Sequence, residues 1–382
     1  MDNTDLSTSL ETSDLKYWVA LSTHQKIGAR TFAKLVQKFG QMEKVWNSHP
    51  SDFFELDIDK SQKEAIFSVI HKVDPDKEMA KVERLKIKVL TIKDKNYPKN
   101  LAEIFDPPGV LYYKGELAPS DEISLAVVGS RKYTSYGQEV TEKLVFELAS
   151  AGLVIVSGLA LGIDALAHRA CLEAKQKTIA VLGCGLDQIY PVSNIRLADK
   201  ILQSGGAIIS EFPIGMPALR YNFPIRNRII AGMSLGTLVI EAAPDSGSLI
   251  TVQAALGYNR EVFAVPGSIF SETSIGPNKL IQMGAKLVTE SADLLTELNI
   301  SDRIKKQTAN LIIADSKEEQ VVLELLGKPK SVDALVKESK LPASLVNSTL
   351  IILELKGKAR HIGGTVYEIR GKLSKNSSNK KV

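Results

Sequence analysis

Residues 124–158 read SLAVVGSRKYTSYGQEVTEKLVFELASAGLVIVSG, and this stretch decides the fold. A β-branched apolar run, Leu125 to Val128, ends in Gly129-Ser130. An amphipathic pattern then runs to Ala151, and a second apolar run, Leu153 to Val156, ends in Ser157-Gly158. Runs that are continuously apolar, rather than alternating, belong to parallel strands covered on both faces. The same unit recurs downstream as TIAVLG (178–183), GAIISE (206–211), GTLVIEA (236–242), EVFAVPG (261–267) and AKLVTE (285–290), each followed or preceded by a helical pattern. The expected class is therefore α/β, with a doubly wound, mostly parallel sheet whose core spans 120–300.

Working outward, residues 86–119 are rich in proline and turn residues with short β-branched pieces, which predicts a connector carrying extended segments. Before it, KIGARTFAKLVQKFG (26–40) places Phe32, Leu35, Val36 and Phe39 on one helical face between Gly28 and Gly40. This is the layout of a helix-hairpin-helix or SAM-like module over residues 1–80, and equally of a plain helical packing domain. It has one turn glycine where a phosphate-gripping hairpin has a pair. The sheet domain is assigned to 81–300 and a linker to 301–316. Residues 317–370 show three helical patterns and then KARHI and TVYEI joined at Gly363-Gly364, a hairpin signal that together reads as a winged helix. Residues 371–382 read as a basic flexible tail.

The chain has 382 residues, is 44% hydrophobic, and carries 48 Lys+Arg against 44 Asp+Glu. Four of the lysines lie in the last twelve residues, so the body is formally neutral and a polybasic nucleic-acid binder is excluded. Any such binding has to come from local placement of cations. Cys171 and Cys184 are the only cysteines, with no CxxC, so neither a disulfide framework nor a zinc site is expected. No apolar run is long enough to span a membrane, and MDNTDLSTSLETSDL is no signal peptide. The expectation is a cytoplasmic protein with no metal, no cofactor and no membrane partner.

In an open parallel sheet, ligands bind outside the carboxyl ends of the strands. Those ends supply Gly129, Ser130, Arg131 and Lys132, then Ser157 and Gly158, then Gly183-Cys184-Gly185, and later Ser246, Gly247 and Ser248. Small residues allow close backbone approach, and Arg131 offers a fork that matches phosphate. Neither GxxxxGK[ST] nor an opening GxGxxG is present, which argues against ordinary ATP or NAD binding. In ALRYNFPIRNRIIAG (218–232), Arg220, Arg226 and Arg228 interleave with Phe223 and Asn227, the mixture of cations and aromatics that a single-strand platform needs. The same arginines also fit structural ion pairs, and Phe223 also fits a core position. Asp164 and His168, one helical turn apart, fit an N-cap and a hydrogen-bonded core histidine better than a catalytic pair. Glu211 and Glu241 read as capping or scaffold carboxylates or as acid/base groups. No residue is assigned a catalytic role.

Taken together, GSR (129–131), SGLALGIDALAH (157–168), AVLGCGLDQIYPVSN (180–194), ISEFP (209–213), FPIRNRIIAG (223–232), SGSLIT (246–251), VFAVPG (262–267) and GPNKLIQMGAKLV (276–288) resemble the DNA-processing protein A (DprA, or Smf) family. The resemblance implies an extended Rossmann-like domain with an N-terminal SAM-like domain and a C-terminal winged helix. It implies a non-enzymatic protein that binds and protects incoming single-stranded DNA, forms a homodimer through the Rossmann-like domain, and loads the RecA recombinase during natural transformation. Arg131, Arg226 and Arg228 match the family's GSR and FPxRNR arginines. Leu161 and Val192-Ser193 stand where members often carry basic residues, with Arg196 as a substitute cation. Lower affinity per site, and more dependence on dimerisation, would follow.

Two other readings stand beside this one. GTLVIEA before a Gly/Ser-rich helix start also looks like the Rossmann enzymes that cleave nucleoside monophosphates to base and ribose phosphate. A third reading is a scaffold whose pocket is vestigial. For the winged helix, the pattern from Pro342 to Leu355 has no Lys or Arg, which disfavours duplex reading and suggests a protein-contact or weak auxiliary DNA role.

Overall fold

The computed structural model describes residues 5–117, 123–300, 311–312, 314, 316–356, 358–369 and 372–373. The chain divides into two compact units, Met1–Leu298 and Asn299–Val382.

Five helices open the first unit: α1 (Asp5–Ser22), α2 (Ala29–Phe39), α3 (Met42–Trp46), α4 (Lys60–Lys72) and α5 (Pro75–Arg84). Asp59 and Asp74 cap the last two, each carboxylate accepting backbone N–H groups of the first turn that have no partner inside the helix. Phe32 and Leu35 are buried, as their spacing predicts, and Trp18 stacks on Phe32 with ring centroids 5.3 Å apart. A Cβ on Gly109 would lie 2.5 Å from the Phe32 ring, so the connector can cross α2 only as glycine. Ser22 Oγ and the Tyr112 hydroxyl lie 2.6 Å apart in a hydrogen bond. The helices thus share one continuous core with a face of the sheet, including Tyr112, Ala180 and Ile208.

The extended pieces expected in the connector are β1 (Lys88–Thr91) and β2 (Val110–Gly115), separated by α6 (Lys99–Ala102). The repeating units follow as β3 (Ser124–Val128), α7 (Ser135–Ser150), β4 (Val154–Ser157), α8 (Ile163–Glu173), β5 (Thr178–Val181), α9 (Ile195–Gln203) and β6 (Ala207–Ser210). After them come α10 (Asn222–Met233), β7 (Gly236–Val239), α11 (Ser248–Gly257), β8 (Glu261–Ala264), α12 (Ile275–Gln282), β9 (Lys286–Leu287) and α13 (Ser291–Glu297). They build one nine-stranded sheet in the order β1-β2-β6-β5-β4-β3-β7-β8-β9, in which only β2 runs against its neighbours. The second face packs on α6, α10 and α11 through residues such as Leu101, Ile229, Ile230 and Val252.

The chain winds outward from β3 to β6, then returns to β7 on the other side of β3. The strand order therefore reverses between β3 and β7, which pair in parallel from Leu125↔Gly236 to Val128↔Val239. A crevice opens beyond the carboxyl ends of two such strands because their following loops part in opposite directions.

The second unit is a winged helix. Helices Lys317–Leu325, Val332–Ser339 and Ala343–Leu355 pack around Val322, Leu326, Leu335, Val346 and Leu350, with a hairpin of Ala359–Gly363 and Val366–Ile369. Gly363 and Gly364 both take positive φ, 120° and 61°, as the hairpin reading requires, although the tight turn itself falls on Gly364-Thr365 and a register shift follows His361. Lys372–Leu373, expected within the tail, pair in parallel with Leu311–Ile312. The rest of the tail, and residues 301–310 of the expected linker, lie outside the described residues. Among the described residues, no helix is long and apolar enough to cross a membrane.

Candidate nucleic-acid interface

The loop after β3 is shaped by close packing. Ser130 donates its backbone N–H to the Glu241 carbonyl at 2.7 Å, and its own carbonyl accepts from Ile163 N–H at 3.1 Å. Gly162 stands at φ 84°, where a Cβ would lie 2.2 Å from the Ser130 carbonyl oxygen, and a Cβ on Gly129 would meet Ile163 at 2.7 Å. Ser130 Oγ donates to the Lys132 carbonyl and accepts from Lys132 N–H, closing the turn. These contacts fix the backbone and leave Arg131 and Lys132 exposed, with no carboxylate paired to either among the described residues.

The cleft these residues border holds about 550 Å³ and sits at the switch point between β3 and β7. Of the residues anticipated from the sequence, Gly129, Ser130, Arg131, Lys132, Arg226, Asn227, Ser246, Gly247 and Ser248 line it together. Asn227 Nδ2 donates to the Gly247 carbonyl at 3.2 Å, and Ser246 and Ser248 share a 2.7 Å hydroxyl contact at the start of α11. Carboxylates also line the cleft, and the sequence reading passed over them as site residues: Asp164 in its floor, and exposed Asp245 and Glu272 at its rim. Cleft cations and carboxylates are thus balanced, and Asp245, directly ahead of SGS, was the sequence signal for it.

Phe223 is half-buried against Gly183 at the start of α10. Its ring centroid lies 5.8 Å from the Arg131 guanidinium and 5.6 Å from the ring of Tyr190, which is 47% exposed. Tyr190, not among the anticipated contacts, completes an aromatic pair beside the cleft. Arg220 stands exposed in the turn leading into α10.

The other anticipated residues are placed differently, and Arg226, though it borders the cleft, is nearly buried. Ser157 is buried and donates to the Val127 carbonyl at 2.7 Å, and Gly158 lies beneath Arg226. Arg226 is 4% exposed and spans the ends of β4 and β5, donating to the carbonyls of Gly158 and Val181. Burial pulls its pKa down to about 10, opposed by the carboxylate of Asp164, so it stays cationic. Arg228 lies outside the cleft in an ion-pair network with Glu211 and Asp106, a position that matches the structural reading of this arginine. Arg196 also lies outside it, on α9, in a separate groove.

Asp164 is the second residue of α8 and reaches back to accept Gly158 N–H at 3.1 Å; the N-cap expected at Asp164 is Gly162, two residues earlier. Burial raises its pKa, with Arg226 opposing. His168 is fully buried, its Nδ1 bonded to Thr178 Oγ1 at 2.8 Å. Thr178 Oγ1 donates onward to the Ile155 carbonyl, so the histidine nitrogen is the donor. Burial, aided by the charge of Arg226, pushes its pKa down to about 3. Glu241 is buried and accepts from Thr134 N–H, Thr134 Oγ1 and Thr273 Oγ1 at 2.9, 2.6 and 3.0 Å, tying the start of α7 to the loop after β8. It is a clamp outside the cleft lining. Among the described residues, no cluster of His, Cys, Asp and Glu is disposed to hold a metal.

Fold and site define a doubly wound Rossmann-like unit with an arginine-bearing cleft at its switch point, accompanied by a winged helix. Residues 88–299 match the family of DNA recombination-mediator protein A, and residues 305–365 match the DprA winged helix domain. The chain belongs to the DNA recombination-mediator protein A family. It is 42% identical over 281 residues to Protein Smf of Escherichia coli, covering 72% of this chain and 75% of that one. Among solved structures, DNA processing protein A from Streptococcus pneumoniae is 40% identical, with a TM-score of 0.64 over 74% of this chain and 96% of its own. DNA processing protein A from Helicobacter pylori, which binds single-stranded DNA, is 31% identical, with a TM-score of 0.50 over 58% of this chain and 97% of its own.

Proposed function

We propose that this protein binds single-stranded DNA without sequence preference at the switch-point cleft and delivers it to a RecA-type recombinase, in DNA processing during natural transformation. The observation that carries the reading is Arg131: exposed, with no carboxylate partner among the described residues, on a glycine-bounded turn, with Phe223 and Tyr190 beside it. A phosphate on such a fork with a base on the neighbouring rings is how sequence-tolerant strand binding works. The resemblance to the family supplies the recombinase partner, and it supports a homodimer through the sheet unit. The exposed Met283 and Leu287 beside the edge strand β9 offer apolar surface for that contact. Cytoplasmic location and lack of turnover belong to the same reading.

The nucleotide-cleaving alternative needs a carboxylate free to act on a sugar in the cleft. Glu241 lies behind the cleft lining, and its carboxylate already accepts three hydrogen bonds, from Thr134 N–H, Thr134 Oγ1 and the lining residue Thr273. Fluorescence anisotropy with labelled oligothymidine, a duplex competitor and a salt series tests the proposal. Tight, salt-sensitive binding lost in Arg131→Ala supports it; no binding, or free base released from a nucleoside monophosphate and abolished in Glu241→Gln, overturns it.

A further inference from the structure

A second groove, of about 720 Å³, lies between α8 and α9, away from the residues of the first cleft. Arg169 reaches it from α8, and Arg196 and Lys200 from α9. All three are exposed, and none pairs with a carboxylate among the described residues. Arg196 and Lys200 stand at i and i+4 on one helix, an arrangement of like charges that destabilises the helix unless an anion lies across it. Against three cations, the groove lining contains one carboxylate, Glu173. The first cleft is charge-balanced, so this groove is the more cationic of the two.

The path between them is continuous. Phe223 touches Arg131 at the first cleft, Tyr190 pairs with Phe223, and Val192 and Ile195 follow as exposed apolar side chains before Arg196. Asn194, which lines the groove, donates to the carbonyls of Leu159 and Ala160 at 2.9 and 3.3 Å; Ala160 lines the first cleft. The segment 190–196 is therefore bolted to the loop bordering the cleft. Cations at both ends, with the half-buried Phe223 and the exposed Tyr190 between them, match the repeat of a single strand, whose phosphates and bases alternate.

We propose that Arg169, Arg196 and Lys200 form a second phosphate site, so that one protomer holds a strand along a track running from Arg131 past Tyr190 to the α8–α9 groove. This inference rests on the single-strand reading of the cleft and extends its length. The groove recognises backbone phosphates rather than bases, since its cations approach from helix faces with no ring among the lining residues.

The test compares wild type, Arg131→Ala and the triple variant Arg169→Ala/Arg196→Ala/Lys200→Ala on labelled oligothymidines of about 6 and about 20 nucleotides, bracketing the site sizes of single-strand folds. All three groove residues are exposed, so the triple variant should keep the wild-type melting temperature, and a single charge-preserving Arg196→Lys should retain binding. The triple variant should bind the short oligomer as wild type does and lose tenfold or more on the long one. Its log–log salt slope on the long oligomer should be shallower by about 2, the expectation for three phosphates on a single strand. Unchanged affinity for the long oligomer, with Arg131→Ala still impaired, overturns the second site while sparing the first, and would leave the groove to an acidic protein surface. Equal losses on both lengths overturn it as a distinct site. Absence of binding by wild type at either length instead removes the single-strand reading itself.

Discussion

The Arg226 guanidinium donates to the carbonyl of Gly158 at 2.5 Å, and a methyl group on Gly158 would sit 2.6 Å from the same guanidinium. An arginine from α10 and a glycine ending β4 thus occupy one another's space. The arginine bordering the cleft is there first of all to seal strand ends.

Removing Arg226 should therefore act on stability. Arg226→Ala leaves the carbonyls of Gly158 and Val181, and the buried carboxyl of Asp164, without their cation, at a cost of about 3–5 kcal/mol. Gly158→Ala should cost about 1–3 kcal/mol by overpacking. Urea denaturation reads both, and values below half a kcal/mol would contradict the sealing role.

Arg131→Ala should behave in the opposite way. The side chain is exposed and has no carboxylate partner among the described residues, so the change in unfolding free energy should stay within about 0.5 kcal/mol, while single-strand affinity falls by more than tenfold. Denaturation and anisotropy on the same preparation separate the two effects. A loss of affinity seen only with Arg226→Ala would have to be read as partial unfolding.

Glu241→Ala strands donors from Thr134 and Thr273 that the carboxylate satisfies in a buried setting. A loss of about 2–4 kcal/mol is expected from unmet hydrogen bonds to a charged group. Hydrogen exchange should show the first turn of α7 opening before the sheet. Uniform protection across α7 would refute the clamp.

His168 makes stability depend on pH. Its folded pKa lies near 3 against an ordinary 6.5, so below pH 6.5 the unfolded chain takes up a proton that the native chain refuses. The contribution is complete above pH 6.5 and is lost as pH falls toward 3, at about 1.4 kcal/mol per pH unit. Asp164 and Glu211, whose pKa values burial raises, act with the opposite sign, so the contrast with a His168→Gln variant isolates the histidine. Equal slopes of unfolding free energy between pH 6 and 5 in the two proteins, on the order of zero difference, would refute this.

Deleting residues 299–382 should change single-strand affinity by less than about threefold, since half a kcal/mol corresponds to roughly that factor. The third helix of the winged unit turns Leu345, Ile351, Ile352 and Leu355 outward, and Lys356 and Lys358 beyond it are held by the buried Glu319. A tenfold loss on deletion would assign that unit a direct part in strand binding.

Much of this architecture was legible because parallel strands declare themselves as short apolar runs ending in small residues. The switch-point location of the cleft, and Arg131 at its mouth, follow from that pattern. β1 and β2 were harder, since their pairing is antiparallel and distant and their flanks are full of prolines and turns; they read only as extended connectors. The arginines of FPIRNR were not separable by sequence. Arg226 and Arg228 lie two residues apart on α10, and one seals β4 and β5 while the other meets Glu211 and Asp106. Which of two arginines is buried depends on what lies opposite, a fact that belongs to tertiary packing. Asp245 and Glu272 escaped for a related reason: each is one acid in a polar loop, meaningful only once the loops converge.

The contact of Gly109 with Phe32 reaches beyond packing. The family match begins at residue 88, yet Gly109 within it packs on Phe32, and Tyr112 shares one buried core with Trp18 and Phe32 and bonds to Ser22. A chain trimmed to the matched region would keep every strand and lose the apolar cover of one sheet face, exposing it to aggregation. Cooperativity of unfolding in this unit accordingly extends to the first helices, and the family-matched region is not by itself the folding module.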